Sequence, residues 1–164
     1  MTARPGTAAG SGRTGTIVSI NISRKKGQAK TPVPEARIIA GEGILADAHR
    51  GFGHRQVSLL MIESIEEQRA RLPGGPEMGI GPGAYAENLT TRDIDLTGLE
   101  VGAGLLIRGE SGMVRLRVSQ IGKECHTKCA IYKLAGDCIM PGFGIFCEVL
   151  EGGTVRVGDR IERF

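Results

Sequence analysis

The chain has 164 residues, a length typical of a single domain that buries one sizeable core. Charged residues make up 24% and hydrophobic residues 40%, while 26 glycines and only 4% aromatic residues favour tight turns between short strands over long packed helices. The net charge of +3 comes without a basic block with interleaved aromatics, and no apolar stretch reaches the length of a membrane span, so nucleic-acid and membrane partners are not expected.

Residues 1–15, "MTARPGTAAGSGRTG", are small and polar and have no apolar segment of the kind that a secretion signal needs. They predict a disordered leader, which is followed by a single domain over residues 16–164. The expected compartment is the cytoplasm. Because thiols stay reduced there, disulfide bonds between the four cysteines are not expected.

Alternating apolar and polar residues predict a half-buried strand over residues 16–23, "TIVSINIS". Its buried face carries Val18, Ile20 and Ile22. The chain then alternates between a basic loop, a strand, a glycine-punctuated loop and another strand, over residues 24–34, 36–40, 41–54 and 55–60.

The clearest helix covers residues 61–72, "MIESIEEQRARL", and ends at the "PGGP" that follows. Ile62, Ile65 and Leu72, with the stem of Arg69, form its apolar stripe. Glutamates lie in its first half and arginines near its end, which matches the helix dipole.

Short strands dominate the second half. A hairpin is predicted around the turn at residues 109–112, with Val114, Leu116 and Val118 facing inward. Two further strands follow, over residues 143–150 and 158–164. Seven or more short strands with one clear helix, and another turn of helix near residues 127–134, predict a mostly β, barrel-like domain.

All four cysteines fall in one short window, at positions 125, 129, 138 and 147. The pair Cys125 and Cys129 has the short spacing of zinc or iron–sulfur ligands, but the usual second tight pair is missing. Cys147 lies in strand phase with apolar residues, so its simpler interpretation is a small core residue. The roles of Cys129 and Cys138 stay open at this point.

Cys125 has a more specific setting, because it follows the strand that ends near Ile121 and has Lys123, His126 and Lys128 within three residues. Nearby cations stabilise a thiolate. The pattern therefore indicates a nucleophilic cysteine or a ligand for a soft metal, with a buried, inert thiol as the alternative.

Two polar motifs carry further candidates. In "ADAHRG", Asp47 and His49 point the same way in extended backbone, so Asp47 could orient the imidazole as a base or a ligand. A loop aspartate in an Asx-turn beside a solvated histidine is the alternative. In "AENL", Glu87 and Asn88 carry no specific signal by themselves, and His54 is expected to be structural or to face solvent.

In order along the chain, "GILADAHRG", "RQVSLL", "PGAYAENLTTRDIDLTGLEVGAGLLI", "VSQIGKECHTKCAIYKLAGDCIMPGFGIF" and "GDRI" resemble the landmarks of the MOSC domain. This family is named for the C-terminal domain of molybdenum cofactor sulfurase. The resemblance spans nearly the whole chain from residue 16, and the small stand-alone form is most similar. It implies a mostly β fold with a barrel core like the small barrel domain of pyruvate kinase, with no pyridoxal phosphate.

The resemblance also implies roles for single residues. The family cysteine, which carries sulfur as a persulfide or ligates molybdenum directly, falls on Cys125. The "GDxH" loop of the family falls on Asp47 and His49, and its "GENL" turn falls on Glu87 and Asn88. The chain departs from the family where Ala46 and Ala86 replace glycines and where Glu124 replaces proline or a basic residue.

Molybdenum cofactor is a pyranopterin with a phosphate and a dithiolene, so its site needs cations for the phosphate and a thiolate for the metal or for sulfur. Lys26, Lys30 and Arg55 are the main candidates for the phosphate. Weaker candidates are Arg50, Lys123 and Lys128.

Three functions are compatible with these residues. The leading hypothesis is a protein that binds the molybdenum cofactor, or a related anionic pterin, or carries sulfur for it from a sulfur-donor protein. The second is a molybdenum-dependent reductase of N-hydroxylated compounds, which needs an electron-donor protein. The third is a structural or interaction domain whose cysteines hold zinc or no metal.

Overall fold

The computed structural model describes residues 12–51, 53–71, 80–122 and 139–164. In chain order, the elements in these ranges are β1 (Thr14–Ile22), β2 (Thr31–Val33), β3 (Glu35–Ile39), β4 (Gly43–Ile44), β5 (Val57–Met61), α1 (Ile62–Arg71), β6 (Leu89–Arg92), β7 (Gly104–Gly109), β8 (Gly112–Ile121), α2 (Met140–Phe143), β9 (Ile145–Glu151), β10 (Gly153–Arg156) and β11 (Arg160–Arg163).

Seven of these strands close into a barrel in the order β1, β11, β7, β8, β9, β5 and β6, with β6 pairing again with β1. Neighbouring strands are antiparallel except β5 and β6, whose parallel pairing requires a crossover that includes α1. Strand β2 extends the sheet beside the end of β1, and β10, β3 and β4 form a second, smaller sheet. The mostly β barrel with one clear helix is therefore confirmed.

The hairpin of β7 and β8 follows its sequence pattern closely. Gly109 pairs with Gly112 across the turn, and Val114, Leu116 and Val118 are all buried as predicted. Ile62 and Ile65 on α1 are also buried as predicted, and Leu72 lies outside the described residues. No helix within the described ranges is both long and apolar enough to cross a membrane.

Two hydrophobic clusters share the strands β5 and β9, because successive side chains point to opposite faces. Leu59 and Ile145 lie in the barrel core, which is the larger cluster. Leu60 and Phe146 point the other way, into an outer cluster made of Leu60, Ile62, Ile65, Ile80, Tyr85, Ile139 and Phe146. Strand β5 is thus buried on both faces, and all five of its residues are buried.

Strand β1 confirms the sequence-based prediction of its buried face at Ile20 and corrects it before that residue. Ile17 and Ile20 are fully buried in the barrel core, and the pairing register with β6 shifts between Ile17 and Ser19. This bulge breaks the strict alternation on which the prediction depended. Ser19 and Asn21, which were expected to face solvent, are buried as well.

Candidate functional site

Lys30 lies directly before β2 and joins three separate segments of the chain. Its side chain is fully buried. The Nζ ammonium donates to Asp47 Oδ1 at 2.7 Å, to Ser23 Oγ at 3.0 Å and to His49 Nδ1 at 3.2 Å. We refer to Ser23, Lys30, Asp47 and His49 as the Lys30 junction.

Asp47 is held from several sides within this junction. Its Oδ1 also accepts the backbone N–H of Ser23 at 3.1 Å, and its Oδ2 accepts the backbone N–H of His49 at 3.0 Å. Burial by itself would raise the pKa of the Asp47 carboxyl, but the contacts with His49 and Lys30 outweigh burial and hold the pKa well below its ordinary value. Asp47 is therefore a buried carboxylate paired with a buried ammonium.

The turn that leads to Glu87 contacts the same lysine through its backbone. The N–H of Lys30 donates to the Gly83 carbonyl at 2.8 Å, and the N–H of Gly83 donates to Glu87 Oε1. Glu87 is fully buried, and this burial raises its pKa to about 8 although backbone N–H groups and the charge of Lys30 oppose the shift. The carboxyl is therefore mainly protonated near neutral pH. Among the described residues, Oε2 of this group has no hydrogen-bond partner.

Asn88 fixes the other side of this turn. Its Oδ1 accepts the N–H of Ser58 at 3.0 Å, and its Nδ2 donates to the Asn21 carbonyl at 3.2 Å. Asn21 in turn donates through Nδ2 to the Glu87 carbonyl at 3.2 Å and to Thr90 Oγ1 at 3.1 Å. This buried network ties the Glu87 turn to β1, β5 and β6.

A sequence model of the MOSC domain matches residues 46–162, most of the chain. The chain belongs to the MOSC domain family. The resemblance expected from the sequence is thereby confirmed, and the matched range contains both polar motifs and all four cysteines.

Solved structures share the MOSC fold of this chain. The YuaD protein from Bacillus subtilis is 21% identical with a TM-score of 0.69, and the match covers 92% of this chain and 95% of that one. YiiM from Escherichia coli is 18% identical with a TM-score of 0.63, covering 92% and 69%. YiiM from Geobacillus stearothermophilus is 19% identical with a TM-score of 0.65, covering 92% and 75%. Comparison with curated proteins gives no match.

The two MOSC positions where this chain has alanine instead of glycine share one backbone property. Ala46 has a φ of 70° and Ala86 has a φ of 62°, so both adopt the left-handed conformation that glycine reaches without steric cost. Each directly precedes a buried carboxyl, Asp47 or Glu87. The conformation, rather than close approach of a ligand, is sufficient to explain a glycine preference at these positions.

The remaining candidate residues of this MOSC chain have varied surroundings. Lys26 is exposed in the loop between β1 and β2, and Arg55 is half-buried just before β5. Arg50 pairs with Glu42 at 3.0 Å on the surface. His54 is exposed and its Nε2 lies 2.8 Å from Gln120 Oε1, in agreement with a solvent-facing role.

Of the four cysteines, only Cys147 is among the described residues. It is fully buried in the barrel core, where desolvation raises the pKa of its thiol far above the ordinary value, so its predicted role as a core residue is confirmed. Within the described ranges, no three His, Cys, Asp or Glu side chains gather closely enough to hold a metal ion. The following candidates lie outside those ranges, and their roles stay predictions: Lys123, Cys125, Lys128, Cys129 and Cys138.

Sequence reasoning missed several residues that build this site. Ser23 and Asn21 alternate with the residues of the predicted buried face, so the pattern placed them on the opposite, exposed face. It gave no sign of the contacts that they make with Asp47 and with the Glu87 turn. Gly83 had a usable signal, since a Pro-Gly dipeptide predicts a turn. Ser58 had none, because its partner Asn88 is distant in sequence.

Proposed function

We propose that this MOSC protein binds the molybdenum cofactor or carries sulfur destined for it, with Cys125 as the sulfur-bearing residue. Membership of the MOSC family supports the cofactor, and the cationic sequence around Cys125 supports a reactive thiolate. The observation that carries the proposal furthest is the Lys30 junction. It brings the Asp47–His49 motif and the Glu87 turn, which are distant in sequence, onto one lysine.

The charges of the described residues indicate which part of the cofactor they fit. The ammonium of Lys30 is already compensated by Asp47 at 2.7 Å, and both side chains are fully buried. Glu87 is mainly uncharged near neutral pH because its pKa is raised to about 8. This nearly neutral, polar set fits the amide-like groups of a pterin ring better than a phosphate, which would need uncompensated cations.

Within this proposal, Lys30 therefore acts as a positioning residue rather than a direct phosphate ligand. Asp47, Glu87 and Asn88 are positioning residues too, because each is buried and hydrogen-bonded to its own backbone surroundings. His49 would meet the ligand, and Lys26 and Arg55 remain the candidates for its phosphate. When bound, the cofactor supplies a dithiolene-held molybdenum centre.

The sulfur step requires a thiolate at Cys125 and a donor with a persulfide. The Cys125 thiolate attacks the outer sulfur of the donor persulfide, and the donor's inner sulfur leaves as a thiolate. Cys125 is then a persulfide, and the donor has returned to its thiol form after taking up a proton. No net oxidation occurs, because the sulfane sulfur only moves from one cysteine to another.

The test is a native mass spectrum and an elemental analysis of protein purified from a host that makes the cofactor. Wild type should carry molybdenum, the cofactor or one additional sulfur atom, and Cys125→Ala should carry none of them. Cys147→Ala is the matched control, because its thiol is buried in the barrel core. If Cys125→Ala retains as much cofactor and sulfur as wild type, Cys125 does not have this role.

The same samples distinguish the alternative functions. One equivalent of molybdenum, together with reduction of a hydroxylamine when an electron-donor protein is added, would indicate a reductase. One equivalent of zinc that is lost in Cys129→Ala or Cys138→Ala would indicate a structural metal domain.

A further inference from the structure

We infer that Gln56 is a positioning residue of the candidate site, because its side-chain amide holds both ends of the segment that carries Asp47 and His49. Gln56 is a buried residue of the "RQVSLL" motif. It acts through the backbone of the segment and not by contact with a ligand. The importance of this placement for the cofactor rests on the proposed function, whereas the placement itself does not.

The amide of Gln56 has three backbone partners. Its Nε2 donates to the Gly41 carbonyl at 3.0 Å and to the Gly53 carbonyl at 3.0 Å. Its Oε1 accepts the N–H of Val149 at 3.0 Å. A side-chain amide has two N–H donors, so both are used. The partners also fix the orientation of the amide, because a carbonyl can only accept a hydrogen bond and an N–H can only donate one. We refer to this arrangement of Gln56, Gly41, Gly53 and Val149 as the Gln56 clamp.

The two glycines of the clamp lie at the two ends of the segment that contains Asp47. Within these ends the chain returns on itself, because the N–H of Gly51 donates to the Glu42 carbonyl at 2.8 Å. The outgoing and returning parts of the segment therefore lie side by side. Gln56 closes them at the end that faces the barrel, since it binds the carbonyls of both Gly41 and Gly53.

The closed segment is attached to the barrel through β9. The N–H of Gly41 donates to the Val149 carbonyl at 2.9 Å, and the N–H of Gln56 donates to the Cys147 carbonyl at 3.2 Å. Since Gln56 Oε1 accepts the N–H of Val149, both backbone groups of this β9 residue are bound to the clamp. Functional side chains need such a rigid support if they are to keep one geometry.

The buried pair of Lys30 and Asp47 is consequently held from two sides. On one side, the backbone of Lys30 is tied to the Gly83 turn. On the other side, the N–H of Asp47 donates to the Ile44 carbonyl at 3.1 Å, inside the segment that Gln56 closes. The ion pair measures 2.7 Å with both side chains fully buried, and separating buried charges is costly. Removing the clamp should therefore release Asp47 from Lys30 while the barrel stays folded.

A purely structural role for Gln56 predicts a different result. Loss of its hydrogen bonds would then weaken the fold as a whole. Hydrogen exchange of the Lys30 ammonium and of the best-protected β8 amides would accelerate by similar factors. A positioning role predicts a local opening, in which the ammonium exchanges faster and the β8 amides remain protected.

The first experiment detects the clamp in the unmodified, cofactor-free chain. Scalar couplings through hydrogen bonds should connect the Gln56 side-chain nitrogen with the carbonyl carbons of both Gly41 and Gly53 in the NMR spectrum. Backbone couplings between β7 and β8 in the same spectrum are the positive control. If these are resolved and either Gln56 coupling is absent, the inference is wrong. No substitution is needed, so the result does not depend on whether a variant folds.

The second experiment separates positioning from stability. Gln56→Met removes the polar groups of the clamp, and Ile161→Val is the control for a general loss of stability, because Ile161 is fully buried in the barrel core. In Gln56→Met, exchange of the Lys30 ammonium should accelerate roughly tenfold or more relative to the β8 amides. In Ile161→Val this ratio should equal that of wild type. If both kinds of group accelerate equally in Gln56→Met, Gln56 stabilises the fold without positioning the site.

The consequence for the ligand is measured on protein purified from a host that makes the cofactor. Gln56→Met should retain severalfold less cofactor than Ile161→Val, and equal retention would show that cofactor binding does not need the clamp. A wild type that retains neither cofactor nor added sulfur would instead refute the proposed function. The exchange ratio, which is measured without cofactor, would then still decide the placement of Asp47.

Discussion

Two alanines adopt left-handed backbone conformations directly before the buried carboxyls of the site. Their φ angles are 70° at Ala46 and 62° at Ala86. For an L-residue with a Cβ this conformation costs about 1–2 kcal/mol, whereas glycine adopts it freely. The strain persists because Asp47 and Glu87 are anchored by several hydrogen bonds that fix the chain on both sides.

Replacing either alanine with glycine should therefore stabilise the fold. We expect Ala46→Gly and Ala86→Gly each to raise the free energy of unfolding by about 0.5–1 kcal/mol, since the greater freedom of glycine in the unfolded chain offsets part of the relief. Urea unfolding measures the change. Ala48→Gly and Ala84→Gly are the controls, because their φ values are negative, and each should lose about 0.5–1 kcal/mol. If all four substitutions changed the free energy of unfolding by the same amount, the backbone at Ala46 and Ala86 would not be strained.

The buried Lys30–Asp47 pair should show strong energetic coupling. Lys30→Met leaves the Asp47 carboxylate buried without its cation, which typically costs about 3–5 kcal/mol. Asp47→Asn removes the charge and keeps one of the two hydrogen bonds from the backbone, because Ser23 and His49 donate to different oxygens and the amide has only one. We expect the double variant to be more stable than the sum of the single losses predicts, by about 0.5–3 kcal/mol in urea unfolding.

A surface pair in the same region provides the matched control for this coupling. Arg50 and Glu42 are 3.0 Å apart and each is roughly two-fifths exposed, at 39% and 44%. Exposed pairs couple by about 1 kcal/mol or less. If the buried pair couples no more strongly than Arg50→Met with Glu42→Gln, the Lys30 junction does not hold these segments together.

At the scale of elements, the turn between α1 and β6 depends on one glycine. Gly83 has a φ of +87°, and a Cβ built on it would lie 2.2 Å from the Lys30 carbonyl oxygen. That oxygen belongs to the backbone and cannot rotate away. The absence of a side chain at Gly83 therefore lets the Glu87 turn pack directly against the segment that carries Lys30.

Gly83→Ala should consequently separate these two segments. The left-handed φ and the clash together predict a loss of about 2–5 kcal/mol in the free energy of unfolding. Gly81→Ala is the control, because a Cβ at that position would meet no atom within 4 Å and its φ is not left-handed. That variant should change stability by less than about 0.5 kcal/mol. A Gly83→Ala protein as stable as wild type would show that the turn can shift at little cost.

The sequence-based predictions were accurate where the residues of one short segment determine its structure, and they failed where pairing with a distant segment determines it. The β7–β8 hairpin was predictable, since alternation and a glycine turn specify it within one short segment. The buried face of β1 was predicted correctly at Ile20 but not at Ile17, because the bulge between them arises from pairing with β6, which is distant in sequence. The family resemblance directed attention to Asp47, His49, Glu87 and Asn88, whose functional roles stay predictions.

The role of Lys30 could not be predicted in the same manner. It lies in a basic loop, where a lysine is normally solvated, and its burial results from contacts with both Asp47 and the Gly83 turn. The residues next to Lys30 in the sequence do not indicate contacts with these distant segments. Only the assembled fold shows that this lysine is buried and paired with Asp47, and its role toward a phosphate stays a prediction.

At the scale of the whole molecule, closing the barrel and building the site are linked through β1. This strand pairs with both β11 and β6 and thereby completes the ring. Its C-terminal end supplies Asn21 to the Glu87 turn, and Ser23 directly after it contacts Asp47. Opening the barrel would therefore also break the contacts of the site. For this reason the free energy of unfolding of the whole chain depends on the buried groups of the site.

One such group, Glu87, should make the stability of the whole chain depend on pH. Its pKa is about 8 in the folded chain against 4.5 for an ordinary glutamate. Between these values the folded chain keeps a proton that the unfolded chain has released. The free energy of unfolding should thus fall by about 1.4 kcal/mol for each pH unit of increase in this interval. Asp47 acts in the opposite sense. Because its pKa is lowered in the folded chain, its carboxylate contributes stability that is lost only when the pH falls below the ordinary pKa of aspartate.

Glu87→Gln isolates this contribution, because glutamine resembles the protonated acid and has no proton to lose. Its Oε1 can still accept the N–H of Gly83. In urea unfolding from about pH 5 to about pH 8, wild type should lose stability relative to Glu87→Gln steadily as the pH rises. Glu67→Gln, which removes an exposed carboxylate, controls for the change in net charge. Parallel profiles of wild type and Glu87→Gln would mean that the carboxyl of Glu87 already ionises in the folded chain as it does in the unfolded one.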